Sequence, residues 1–140
     1  MIPKIKVKNS GVITVQSIHD RPDGTLTVAQ VGQHIPFEIK RIYYITSLAD
    51  QKSVRGKHAH KKLEQIIFCI NGSFDLLLDD GNKKQKIKMT NPSFGIRLGK
   101  LLWHEMENFS DNCAILVLAD DWYDESDYLR NYKDFLNYIK

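Results

Sequence analysis

The chain has 140 residues, and its 20 Lys and Arg against 17 Asp and Glu leave a net charge of +3, too small to argue for nucleic acid or a membrane surface as partner. At this length a single domain buries roughly two thirds of its unfolded surface, so one domain over residues 1–140 is expected, without metal or disulfide staples. Met1 to Lys8 holds no apolar signal core, and the longest apolar run, Cys113 to Ala119, is far short of the roughly 20 residues that span a bilayer. These features predict a cytoplasmic protein.

Runs rich in Val, Ile, Phe and Tyr recur between turn residues, with strands expected near 12–18, 25–31, 37–46, 63–70, 73–79, 84–89, 94–98 and 113–119. Short strands at this spacing predict an all-β sandwich or barrel. Asn71-Gly72 reads as a two-residue hairpin turn, since Asn-Gly tolerates the positive φ such turns need, and Asp80-Gly81-Asn82 reads as the next turn. Cys69 and Cys113 sit in apolar stretches and read as reduced core residues. After Asp120 the period changes. Tyr128, Leu129, Tyr132, Phe135, Leu136 and Ile139 fall on one helical face, with Asp124, Ser126 or Asp127 to begin a C-terminal helix.

His58-Ala59-His60 carries the chemistry. A strand puts residues i and i+2 on one face, so both rings share one space, with Glu64 following and His104 forty-odd positions on. Three imidazoles and a carboxylate could ligate a divalent transition metal. Alternatively the imidazoles, with ordinary pKa values near about 6.5, could move a proton beside a carbonyl at neutral pH. Arg41 and Arg55 suit phosphate. Alternation lets only one of Tyr43 and Tyr44 face a cavity. Trp103 reads as a pocket wall, or else as an interface or core residue, and Glu64 as a solvated or ion-paired carboxylate or, without a metal, as one that orients an imidazole.

Arg55-Gly56, His58, His60, Glu64 and Gly72, then Pro92, Gly95, His104 and Asn108, resemble the two motifs of the cupin superfamily, with the Glu64 to Gly72 gap one residue longer than usual. The segments IPFEIKRIYYI (35–45), RGKHAHKKLEQ (55–65), WHEM (103–106) and YDESDYLRNY (123–132) resemble, more narrowly, the bacterial sugar 3,4-ketoisomerases. That resemblance covers nearly the whole chain after residue 10. It implies a jelly-roll β-barrel with a short C-terminal helix, a homodimer with exchanged N-terminal strands, and no metal or cofactor. The implied substrate is dTDP-4-keto-6-deoxyglucose, whose carbonyl moves from C4 to C3 through an enediol or enediolate on the way to a 3-amino-3,6-dideoxyhexose. The implied catalytic pair is His58 and His60, and Arg41, Tyr43, Arg55, Trp103 and His104 are implied to bind substrate. A protonated imidazole, a Tyr or an Arg would stabilise the enediolate. His104 and Arg21 point to a galacto-configured product. Two departures bear on fine contacts: Arg97 stands where relatives often carry an aromatic residue, and Pro22-Asp23 lengthens the turn after Arg21. Two other functions stay open. One is a metal-dependent cupin enzyme with His58, His60, Glu64 and His104 as ligands; the other is a noncatalytic sugar-nucleotide-binding cupin.

Overall fold

Strands form where β-branched and aromatic residues cluster, because such side chains suit a pleated, half-buried surface. The computed structural model describes residues 2–48 and 52–140. It contains β1 (Ser10–Thr14), β2 (Gln16–Asp20), β3 (Gly24–Val28), β4 (Arg41–Ile45), β5 (Arg55–His60), β6 (Gln65–Asn71), β7 (Phe74–Asp79), β8 (Lys84–Met89), β9 (Phe94–Leu98), β10 (Trp103–Glu107), β11 (Ala114–Ala119), β12 (Tyr128–Leu129) and the helix α1 (Tyr132–Tyr138). One antiparallel sheet has the order β1-β9-β6-β11-β4, a second has β12-β5-β10-β7-β8, and among the described residues β2 pairs only with β3. From β4 to β7, and again from β8 to β11, the chain alternates between the two large sheets, which is the crossing pattern of a jelly roll. Ile67, Ile96, Ile115 and Val117 of one sheet and Phe74, Leu76, Leu78, Ile87 and Met89 of the other share one buried core. The expected all-β jelly roll with a short C-terminal helix is the observed fold.

Three local expectations need correction. Asn71-Gly72 does not close a hairpin: β6 pairs with β9 and β11, β7 pairs with β8 and β10, and the turn carries the chain from one sheet to the other. Gly72 is still required there, with φ at +69° and a position where a Cβ would lie 2.3 Å from Ser110 Oγ. By contrast, Asp80-Gly81-Asn82 does join the paired β7 and β8, with Asp79 and Asp80 carboxylates accepting the turn's N–H groups at 2.7–2.8 Å. The run 12–18 breaks at Val15, so that β1 stays in a sheet while β2 leaves it.

The third correction concerns the C-terminal helix. Asp124 caps a separate 3-10 turn over Glu125–Asp127, Tyr128 and Leu129 become a strand, and only Tyr132–Tyr138 is α-helical, capped by Asn131. The physical reason lies in β5, whose outer edge offers unpaired backbone groups that β12 satisfies by pairing Tyr128 with His60 and Leu129 with Ala59. Edge satisfaction overrides helical spacing. Cys69 and Cys113 are free and buried as expected, and burial pushes the Cys69 thiol up to about 12. No helix among the described residues is long and apolar enough to cross a membrane.

Candidate active site

Strand register gathers the rings. His58 on β5 lies directly opposite His104 on β10, and Tyr128 on β12 lies opposite His60; residues so opposed share a face with Cβ atoms about 5 Å apart. The His58 ring centroid is 4.9 Å from that of His60, 4.6 Å from His104 and 4.9 Å from Tyr128, while His60 and Tyr128 are 4.3 Å apart. A bulge sets this arrangement. His58 pairs with His104 and Gly56 with Glu105, leaving Lys57 as the extra residue. Gly56 and Lys57 have φ of +82° and +57°, and a Cβ on Gly56 would stand 3.0 Å from the His104 carbonyl oxygen. Bulges of this kind re-aim side chains beside functional sites.

Hydrogen bonds then fix the ring chemistry. His58 Nδ1 lies 3.0 Å from the Gly56 carbonyl oxygen and His104 Nδ1 lies 3.3 Å from that of Leu102. A carbonyl oxygen only accepts, so both Nδ1 atoms donate and both Nε2 atoms are left as lone-pair acceptors when the rings are neutral. His60 Nδ1 lies 3.2 Å from Asp127 Oδ2.

All three rings favour the neutral form. Burial lowers the His58 pKa, and burial followed by the neighbouring His58 lowers His60 to about 4 against the opposing pull of Asp127. His104 is held well below 6.5 by burial, then by His58 and His60. The imidazoles are therefore bases near neutral pH. In the resting site a Tyr or an Arg is therefore the ready donor for an enediolate, and an imidazole becomes one only after it has taken up a proton.

His60 and His104 are each 3% exposed, whereas His58 is half-buried and forms part of a cavity of about 320 Å³ with Arg41, Tyr43, Ile45, Arg55, Gly56, Met106, Tyr128 and Arg130. Arg41, Tyr43 and Ile45 alternate along β4 with outward-facing Ile42 and Tyr44, so Tyr43 is the inward tyrosine. Gln65 Nε2 donates to Tyr43 Oη at 2.7 Å, which leaves the phenol its own hydrogen to donate, and burial raises its pKa. Arg130 is held in bidentate fashion by Glu125 at 2.8 and 2.9 Å and lies 4.0 Å over the Tyr128 ring. Arg41 Nε is buried without a hydrogen-bond partner among the described residues. Three guanidiniums and a row of bases thus share one wall system. A larger hollow of about 430 Å³ lies elsewhere, against Asp79, Lys84, Trp103 and Tyr132. It contains none of the three histidines.

The comparison with known families is decisive at this point, because the model of the FdtA family, described as WxcM-like, C-terminal, matches residues 8–140. The chain belongs to the FdtA family. It is 48% identical over 116 residues, 83% of each chain, to the TDP-4-oxo-6-deoxy-alpha-D-glucose-3,4-oxoisomerase of Aneurinibacillus thermoaerophilus. It is also similar to a histidine-to-asparagine mutant of the 3,4-ketoisomerase QdtA from Thermoanaerobacterium thermosaccharolyticum in complex with TDP-4-keto-6-deoxyglucose, at 40% identity over 95% of each chain and a TM-score of 0.91. The WlaRB TDP-quinovose 3,4-ketoisomerase from Campylobacter jejuni matches at 43% identity, over 94% of this chain and 99% of its own, with a TM-score of 0.87.

Within this family member the structure brings together His58, His60, His104, Arg41, Tyr43 and Arg55 and leaves Trp103 apart. Since His104 points inward, alternation turns Trp103 to the other face of β10, where its Nε1 donates to Glu105 at 2.8 Å and its ring packs against Tyr132 and Phe135. Glu64 does not orient an imidazole. It pairs with Arg97 at 2.6 Å and accepts from the Lys100 N–H at 2.7 Å, so the four-residue ligand set His58, His60, Glu64 and His104 is not assembled. Among the described residues no group of three or more His, Cys, Asp or Glu is arranged to hold a metal ion. Arg97 and Arg21 do not line the cavity. Sequence reasoning missed Asp127 and Tyr128, whose signals were absorbed into a helix start and a helical face, and gave Arg130 no role of its own. It also passed over Gln65, which carries no signal beyond its place after Glu64.

Proposed function

We propose that the chain, as one catalytic domain, is a sugar-nucleotide 3,4-ketoisomerase that moves the carbonyl of dTDP-4-keto-6-deoxy-D-glucose from C4 to C3. The observation that carries this reading is His58: a neutral imidazole with an uncommitted Nε2 on the wall of a cavity that also holds Arg41, Arg55 and Arg130. Guanidinium forks match the diphosphate of a sugar nucleotide, and a lone imidazole base matches the acidified hydrogen on C3. His58 Nε2 takes that proton, and the C3 electrons move so that negative charge develops on the C4 oxygen. A donor at that oxygen, Tyr43 or Arg41, stabilises the enediolate, an effect that reaches about 3–4 kcal/mol in preorganised oxyanion sites. The His58 imidazolium returns its proton at C4 while the O3 proton passes to the C4 oxyanion, which gives the 3-keto sugar and restores the neutral ring. His60 is the partner of His58, and the neutral, buried His104 orients the sugar.

The reaction needs no metal or cofactor in this reading. Its product carries the ketone that an aminotransferase requires to make a 3-amino-3,6-dideoxyhexose. The free thiols of Cys69 and Cys113 support a cytoplasmic setting, where thiols stay reduced.

NMR of the product formed from dTDP-4-keto-6-deoxyglucose tests substrate and reaction together. The expected spectrum places the carbonyl at C3, with a galacto-configured C4. Tight binding with the carbonyl still at C4 and no exchange of the C3 hydrogen in deuterated water would instead describe a noncatalytic sugar-nucleotide binder.

The same reading includes a homodimer that exchanges N-terminal structure. β1 already sits in its own sheet, so the exchangeable piece is the β2–β3 hairpin, which pairs with neither large sheet and exposes Ile18 and Leu26. β4 is an edge strand with Ile42 and Tyr44 turned outward, and such an exposed apolar edge invites pairing with another copy. Arg21 lies in the hairpin turn, so exchange would carry it toward a partner's sugar. Sedimentation is expected to give twice the 16.2 kDa chain mass, falling to the single chain when residues 16–28 are replaced by a short Gly-Ser link. A full chain that sediments at its monomer mass overturns the dimer.

A further inference from the structure

His58 and His104 use backbone carbonyls to fix their rings, but His60 uses a side chain, and that side chain comes from a distant segment. Asp127 Oδ2 lies 3.2 Å from His60 Nδ1. The carboxylate is itself pinned by the turn that follows His60: Lys62 N–H donates to Oδ1 at 2.8 Å and Leu63 N–H to Oδ2 at 3.2 Å. Lys61 N–H adds a bond to the Asp127 carbonyl oxygen at 2.9 Å. The aspartate is therefore located by the end of the strand that carries the histidine. Meanwhile His60 Nε2 is buried with no hydrogen-bond partner among the described residues. A hydrogen on that nitrogen would be a buried donor with nothing to receive it, whereas a lone pair there costs less and can accept.

We propose that Asp127 is a positioning residue that holds His60 as the Nδ1–H tautomer and so keeps its Nε2 as a proton acceptor beside His58. The carboxylate can only accept when ionised, so it selects the tautomer as well as the ring orientation. It also joins the histidines to the segment that supplies Tyr128 and Arg130, because Asp127 immediately precedes β12. A purely structural latch would need only the bonds to Lys62 and Leu63. The bond to His60 is what makes the assignment chemical.

The experiment uses the full chain labelled with ¹⁵N. Two-bond ¹H–¹⁵N spectra of the histidine rings at neutral pH, assigned by comparison with His60→Asn, report which nitrogen of His60 bears hydrogen. The wild-type spectrum is expected to show an unprotonated Nε2. In Asp127→Asn, an amide whose NH₂ faces Nδ1 shifts the ring to the Nε2–H form. Only the kinetic arm rests on the ketoisomerase reading: kcat for dTDP-4-keto-6-deoxyglucose is expected to fall by about 10²–10⁴-fold, with KM changed by less than about threefold. A wild-type ring protonated at Nε2 overturns the proposal, and so does an Asp127→Asn ring that keeps the wild-type tautomer. The first of these does not use Asp127→Asn, so the test holds even if that variant does not fold. If the wild-type protein turns over no substrate, the ketoisomerase reading fails while the ring spectrum still decides the role of Asp127.

Discussion

His58→Asn is expected to lower turnover of dTDP-4-keto-6-deoxyglucose by about 10²–10⁴-fold, the usual range for loss of a general base, while leaving thymidine-nucleotide binding nearly unchanged. The choice of asparagine follows from the hydrogen bonds. Its amide can still donate to the Gly56 carbonyl, as His58 Nδ1 does at 3.0 Å, so the bulge in β5 keeps its internal tie. What disappears is Nε2, the one nitrogen free to take a proton. The guanidiniums of Arg41, Arg55 and Arg130 are untouched, which is why nucleotide affinity should survive. His60→Asn is expected to show a fall of the same order, because its amide can donate to Asp127 while the buried Nε2 is lost. Steady-state kinetics beside calorimetric titration with thymidine diphosphate separate the two effects. Near-normal turnover in both variants would remove the imidazoles from the chemistry.

Much of this site was legible from spacing, since two-residue periodicity put His58 and His60 on one face and Tyr43 inside when Tyr44 lies outside. Long-range pairing was not legible. Nothing in the residues around Trp103-His104 says that His104 will face His58 across two strands, and a pocket role for the indole of Trp103 followed from the family resemblance alone. Alternation, applied to that pair as it was to Tyr43 and Tyr44, would have sent one of them outward. Asp127 and Tyr128 were hidden for a different reason: Asp124, Ser126 and Asp127 are ordinary helix-start residues, and Tyr128 fits the helical face of Tyr132 and Phe135. The backbone demand at the edge of β5 decides against the helix there, and that demand is tertiary. Glu64 shows the converse. Its place after the histidines suggested a ligand or an orienting group, but the plainer reading of an ion-paired carboxylate is the one observed, because β9 supplies Arg97 to claim it.

Acid is expected to destabilise the fold earlier than its carboxylates alone would require. The ordinary histidine value is 6.5, and folding lowers that of His60 to about 4 through burial and the nearby His58 ring. Above about pH 6.5 both folded and unfolded chains keep this ring neutral, and it contributes no pH dependence. Between about 6.5 and 4 the unfolded chain binds a proton that the native ring refuses, so stability falls as pH falls through that window and the loss levels off below it. For His60 alone the loss is on the order of 3 kcal/mol, and His58 and His104, both lowered by burial, act in the same direction. Asp80 and Glu125 act lower on the scale: hydrogen bonds from backbone N–H groups hold Asp80 down and those from Arg130 and Tyr123 hold Glu125 at about 2, so their support is lost only below ordinary carboxylate values. Denaturant unfolding measured at neutral pH and near pH 5 should therefore show a marked drop in the wild type and a smaller one in His60→Asn. Equal drops in the two proteins would mean that the native ring takes up its proton as readily as the unfolded one, and that the buried histidine cluster is not held neutral by its surroundings.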